Sequence, residues 1–141
     1  MTTRLFGAVT MLALVAACFP LAAQTATMSV NIPFEFSAGG KIHPAGDYRV
    51  SASSGTTLIG FSSFDAQVAT QILAARSDDS GKRSEPSRLV FRRYGDRYFL
   101  AELWNAGASV ARRLTPTKEE NELARTLAGR PVETVTLLAV R

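Results

Sequence analysis

The sequence predicts a mainly β protein: a small antiparallel β-sandwich or barrel of about eight strands, with one short helix before the last strand. Three observations carry this prediction. Apolar and polar residues alternate in several short runs, the period of a half-buried strand. Turn-forming clusters of Gly, Pro, Asn, Asp and Ser separate these runs at spacings of about 8–12 residues. Beyond residue 24, a single stretch combines helical periodicity with helix start and stop signals.

The clearest element is residues 88–104. It holds the only tryptophan, two of the three tyrosines and two of the eight phenylalanines of the 141-residue chain. Two runs of aromatic and β-favouring residues flank Gly95-Asp96, a hairpin signal. A two-residue loop there sets Arg93 opposite Tyr98, within cation–π reach. The same register places Leu89, Phe91, Tyr98, Leu100 and Trp104 on one face. Apolar side chains on both faces make this hairpin the candidate fold nucleus.

The chain opens with a targeting segment. Met1 to Arg4 carries a positive charge, residues 5–17 are apolar, and Phe19-Pro20-Leu21-Ala22-Ala23 ends in small residues. That is the layout of a secretory signal peptide, too short for a membrane span of about 20 residues. Cleavage is expected between Ala23 and Gln24. A competing signal overlaps it: Val15-Ala16-Ala17-Cys18 resembles a lipobox, and Cys18 is the only cysteine. The coherent small-residue region after Cys18 favours simple cleavage. Residues 24–141 then form one β-rich domain without cysteine, held by its core and not by disulfides.

Residues 28–36 alternate, with Met28, Val30, Ile32, Phe34 and Phe36 inward and Pro33 marking an edge or bulge. Ala38-Gly39-Gly40-Lys41 and Pro44-Ala45-Gly46-Asp47 are turns around a short return strand. Tyr48, Val50 and Ala52 form the inner side of the next strand. Residues 57–61 read as a strand buried on both faces, and residues 67–75 as a further strand. Residues 76–87 lack large apolar side chains and read as a flexible, solvated loop. A weaker strand covers 108–114. Thr117 and Glu120 have the spacing of a capping box, and Gly129 and Pro131 end that helix. Its apolar face is narrow, mainly Leu123 and Leu127, so it lies on the sheet surface or caps one end. Residues 132–140 are the last strand.

Composition excludes several function classes. The net charge of +4 is spread along the chain, with no basic stripe for nucleic acid. His43, the only histidine, precedes Pro44 in a turn and reads as solvated, without partners for a metal. Asp78-Asp79-Ser80-Gly81 lacks the alternating ligands and distal glutamate of a calcium loop. Glu35 and Glu102 are a conceivable carboxylate pair, but read better as exposed rungs paired with arginines such as Arg92 or Arg112. No nucleophile elbow or phosphate-binding glycine loop is present. Neither an enzyme, a cofactor nor a metal site is expected. Phe34, Phe36, Phe61, Phe91, Phe99 and Trp104 line either a cavity for an apolar ligand or a packed core. A domain of this size needs them as core.

Ile32-Pro33-Phe34-Glu35-Phe36, Pro44-Ala45-Gly46-Asp47-Tyr48-Arg49-Val50 and Arg93-Tyr94-Gly95-Asp96-Arg97-Tyr98-Phe99-Leu100 together resemble a family of short secreted acidobacterial-type proteins. Those pair I/V-P-F-x-F with P-A-G-x-Y-x-V and R-Y-G-x-x-Y-F-L. The resemblance spans nearly all the chain after the leader. It implies export and a shared fold, and carries over no activity or functional residue. The expectation is an exported bacterial domain, periplasmic or extracellular, non-catalytic, with a structural or protein-interaction role in the cell envelope. The alternatives are a lipocalin-like carrier of an apolar ligand and an outer-membrane lipoprotein anchored through Cys18.

Overall fold

The computed structural model describes residues 25–53, 55–65, 68–78, 86–107 and 110–140. Residues 1–24, with Cys18, Ala23 and Gln24, lie outside the described residues, as do Asp79, Ser80 and Gly81. Eleven strands and one helix follow in chain order among the described residues. They are β1 (Thr25–Ile32), β2 (Phe36–Ala38), β3 (Lys41–His43), β4 (Gly46–Ser53), β5 (Leu58–Ser63), β6 (Ala69–Leu73), β7 (Ala75–Asp78), β8 (Arg88–Tyr94), β9 (Arg97–Trp104), β10 (Val110–Arg113), α1 (Lys118–Thr126) and β11 (Glu133–Leu138). The expected β class and the helix before the last strand are both present. The strand number is higher than expected, because two of the predicted strands are each divided between sheets.

The first division falls at Pro33. β1 pairs with β4 in a four-stranded sheet of order β1-β4-β5-β6. β2, which follows β1 after a three-residue link, pairs in parallel with β9 of the other sheet, Phe36 beside Tyr98. Residues 28–36 are therefore one alternating pattern but two strands. Proline cannot donate to a ladder, and the chain uses that position to change layer. The second division is at Ala74. β6 ends the small sheet and β7 pairs with β10 of the large one. The stretch expected as a loop from residue 76 is thus strand as far as Asp78.

The larger sheet has seven strands, in the order β11-β8-β9-β10-β7, with the β2–β3 hairpin attached to β9. The two sheets face each other as a sandwich, and no barrel closes. At one corner a bridge joins them: Ser29 of β1 and Val140 exchange backbone hydrogen bonds of 2.7 and 2.8 Å.

The core lies between the sheets. Met28, Val30, Ile32, Tyr48, Val50, Ile59 and Phe61 come from the small sheet, and Phe36, Leu89, Phe91, Leu100 and Leu103 from the large one. Phe36 sits at its centre, with ring centroids 5.5 Å from Tyr48, 5.5 Å from Phe91 and 6.3 Å from Phe61. β5 is not buried on both faces as expected: Ile59 and Phe61 are buried while Leu58 is exposed. Gly39, at the tip of the β2–β3 hairpin, has φ +59° and would place a Cβ 3.0 Å from Ile72. Both the turn and the close approach require glycine there.

The β8–β9 hairpin has the two-residue loop. Tyr94 opposes Arg97 and Arg93 opposes Tyr98, with the guanidinium 5.5 Å from the ring centroid. Gly95 supplies the positive φ, +64°. The expected common face is not kept beyond Leu100. Phe91 opposes Leu100 but Val90 opposes Glu102, so Ala101 is an extra residue, a β-bulge. One extra residue inverts the side-chain alternation. Leu103 takes the core position, and Trp104 turns to the outer face, still only 3% exposed.

Tyr48 explains the Pro-Ala-Gly-Asp-Tyr turn. Its buried ring ends in a hydroxyl that donates to the Pro44 carbonyl at 2.7 Å, closing the turn four residues back. Burial, and then Asp65, hold this phenol above its ordinary pKa, so it stays a donor. Tyr48→Phe is expected to lose about 1 kcal/mol by urea unfolding, the net worth of one such bond. An unchanged midpoint would remove this account of the turn.

Candidate functional site

The two outer faces differ in chemistry. The large sheet's outer face is a lattice of charge. Arg92 on β8 donates to Glu120 on α1 through both Nε (2.5 Å) and an Nη (3.2 Å), and the Tyr94 hydroxyl adds a third bond at 3.3 Å. Arg97 on β9 reaches Glu119 at 2.6 Å. Arg113 on β10 reaches Glu102 at 2.8 Å, and Glu102 also accepts from the Trp104 indole at 2.8 Å. The Arg88 guanidinium lies over the Trp104 ring, 4.8 Å from its centroid. Between these groups and Thr134 and Thr136 runs a shallow open trough of about 360 Å³.

α1 holds to this face by charge. Thr117 caps it, its hydroxyl accepting from the Glu120 amide at 3.2 Å. The expected capping box is only half used, because the Glu120 carboxylate turns to Arg92. Glu120 is the one buried side chain of the helix, whereas Leu123 is half-buried. The narrow apolar stripe read from the sequence is thus not the anchor. Burial, and then Glu120, raise the Tyr94 phenol above its ordinary pKa, so it remains protonated and able to donate.

The small sheet's outer face carries charge, among the described residues, only at one end of β4, where Asp47 and Arg49 are exposed. Its alternate positions include Thr27 and Ser29 on β1, Ser51 and Ser53 on β4, Gly60 and Ser62 on β5, and Gln71 on β6. Leu58 opposes Leu73 across β5 and β6, both outward, 38% and 73% exposed. β6, Ala69-Thr70-Gln71-Ile72-Leu73, is the sheet's edge strand and has no charged residue, proline or glycine.

The residues singled out from the sequence do not meet. Glu35 is exposed in the link between β1 and β2, beside Asp96 and Arg97, in a groove of about 90 Å³. Glu102 lies on the outer face of β9, paired with Arg113 and not with Arg92 or Arg112. Among the described residues, no three His, Cys, Asp or Glu side chains converge as a metal site. No helix among them is long and apolar enough to cross a membrane. The six aromatics do not share a cavity wall. Phe36, Phe61 and Phe91 fill the core, and Phe34 stacks on Tyr98 at its margin, centroids 3.8 Å apart. Phe99, under the helix side, packs edge-on against Tyr94.

His43 corrects the reading of a solvated turn residue. It is 3% exposed and stacked on Phe36 at 5.2 Å, because β3 brings it opposite Phe36 in the β2–β3 ladder. Its ring bonds the Ala38 backbone, and its Nε2 is buried without a hydrogen-bond partner. Burial lowers its pKa below the usual 6.5, opposed by the Ala38 bond and assisted by Lys41. The unfolded chain therefore takes up the proton first. Stability from this group is complete above about pH 6.5 and falls as pH drops below it, until the folded state protonates too. Urea midpoints of the wild type are expected to fall between about pH 7 and pH 5.5, and those of His43→Phe to stay flatter. Parallel curves would show that His43 is not the group responsible.

Arg112 also escaped the sequence reading, which placed it as an exposed rung. It is 5% exposed and points inward, opposite Leu103, where it donates to the Ser53 carbonyl of the small sheet. A charged residue in a short, weakly alternating strand gave no signal of that burial. Comparison with family models, curated proteins and solved structures finds no match.

Proposed function

We propose that this chain is an exported, non-catalytic β domain of the cell envelope that works by binding another protein. The proposed occupant is an uncharged extended segment of a partner, added as a strand at the edge of β6. The observation that carries this reading is the free β6 edge with Leu58 and Leu73 exposed beside it. Sheet edges are normally blunted by charge, proline, brevity or cover. β3 is short and carries Lys41, β7 carries Arg76, and β1 is bridged to Val140. β6 has none of these devices among the described residues. An edge of that kind offers backbone hydrogen bonds for affinity and side-chain contacts for selectivity.

Dispersed acidic and basic groups, each arginine of the β8–β9 hairpin occupied by a glutamate or an aromatic ring, support the non-catalytic part of this reading. The carrier alternative loses ground because the aromatics it needs as cavity walls are packed against one another. Export rests on the leader pattern of residues 1–23.

Native mass spectrometry of the protein purified from its own envelope tests both parts. The expected mature N-terminus is Gln24, and an acylated Cys18 would replace simple export by membrane anchoring. Leu73→Lys puts a charge on the β6 edge without touching the core. It is expected to abolish a stoichiometric complex seen with the wild type, at an unchanged unfolding midpoint. A complex that survives Leu73→Lys removes β6 as the docking edge, and a self-complex lost with it makes a second copy the partner.

A further inference from the structure

We propose that Arg112 is the binding group of a small oxyanion site at the end of the sandwich, where β4 stops at Ser53 and faces β10. The ligand class is a carboxylate or a phosphate held by the guanidinium. This site is separate from the β6 edge.

The large sheet pairs exposed arginines with glutamates. Arg92, Arg93, Arg97 and Arg113 each pair with a glutamate: Glu120, Glu133, Glu119 and Glu102. Each of those four is at least a quarter exposed. Arg112 is the buried one, at 5% exposure, and among the described residues no carboxylate pairs with it. Among the described residues its one hydrogen bond joins an Nη to the Ser53 carbonyl, a neutral acceptor. Its Nε is buried and has no partner.

A buried cation without a counter-ion costs several kcal/mol unless something offsets it. Neutralisation is not open to a guanidinium, which stays charged in proteins. The neighbourhood adds to the cost. β7 sets Arg76 directly opposite Arg112, and both burial and that second guanidinium work against the Arg112 charge. Like charges opposed across a ladder are unfavourable. An oxyanion at the unpartnered Nε would satisfy the donor and neutralise the charge together. A guanidinium's planar fork matches carboxylate and phosphate oxygens.

The test uses the folded, ¹⁵N-labelled domain. Sodium acetate and sodium phosphate are titrated separately at constant ionic strength, with sodium chloride as balance. The Arg112 Nε–H resonance is followed, together with unfolding midpoints of the wild type, Arg112→Met and Arg112→Lys. Saturable movement of that resonance is expected. Above the dissociation constant, the wild-type folding equilibrium should rise tenfold for each tenfold rise in the anion. Arg112→Met should lack that rise, showing only the general salt response. A response to acetate alone identifies a carboxylate site, and one to phosphate alone a phosphoryl site. Linear, unsaturated drift of the Nε–H signal, with the same anion dependence in wild type and Arg112→Lys, overturns the proposal. The resonance reads out in the wild type, so the proposal stays testable if Arg112→Met fails to fold.

Discussion

Phe36→Ala is expected to remove a large part of the domain's stability. Truncating a buried phenylalanine costs about 3–5 kcal/mol, and a small domain has only about 5–15 kcal/mol in total. Phe36 sits at the upper end of that range for a structural reason. It is 2% exposed and its ring meets Tyr48, Phe61, Phe91 and His43, side chains drawn from both sheets. The backbone around it is committed to two partners, β3 and β9, so the space cannot close by local collapse. Urea denaturation followed by Trp104 fluorescence measures the effect. Phe34→Ala is the control, since Phe34 is half-buried at the margin and should cost clearly less. Equal costs for the two would mean that the core is centred elsewhere.

Glu120→Ala is expected to release α1 while the sandwich stays folded. Glu120 is the only side chain that the helix buries, and it carries the Arg92 pair and the Tyr94 hydroxyl. Breaking a fully buried pair costs about 3–5 kcal/mol, but Arg92 is a quarter exposed and regains water, so about 2–3 kcal/mol is expected. That exceeds what a nine-residue helix can supply from its own propensity and cap. Hydrogen exchange should show the α1 amides losing protection with the β8–β9 amides unchanged. Arg92→Met keeps the stem but strands the carboxylate, and should release the helix equally. A global fall in midpoint with α1 still protected would mean that the helix is anchored by something else.

Much of the fold was legible because local rules and tertiary structure agree. The alternation of Tyr48, Val50 and Ala52, the Gly95-Asp96 loop, the Arg93–Tyr98 pair and the Thr117 cap all depend on residues close in sequence. What was not legible depends on distant partners. Pro33 marked an interruption, but nothing local shows that the chain resumes in the other sheet. Ala101 carries no glycine or proline to mark a bulge, yet it moves Trp104 to the opposite face. Glu120 fits a capping box, and only the strand beneath it supplies Arg92 to turn it inward. His43 precedes a proline in a polar stretch, and its burial comes from the hairpin that lays it on Phe36. Arg112 is the limiting case. Its strand pattern is too short to tell inside from outside, so the candidate site was the least legible part.

The bridge between Ser29 and Val140 joins the first strand to the residues just after the last one, so it spans nearly the whole described chain. Loop-closure entropy places such a contact late in folding. Until it forms, one flank of β1 is an open template of Thr and Ser backbone groups. Any step that delays the arrival of Val140 at β1 lengthens that interval. The chain is most exposed to pairing with a neighbour before Val140 docks, and that residue acts as the catch that ends the hazard.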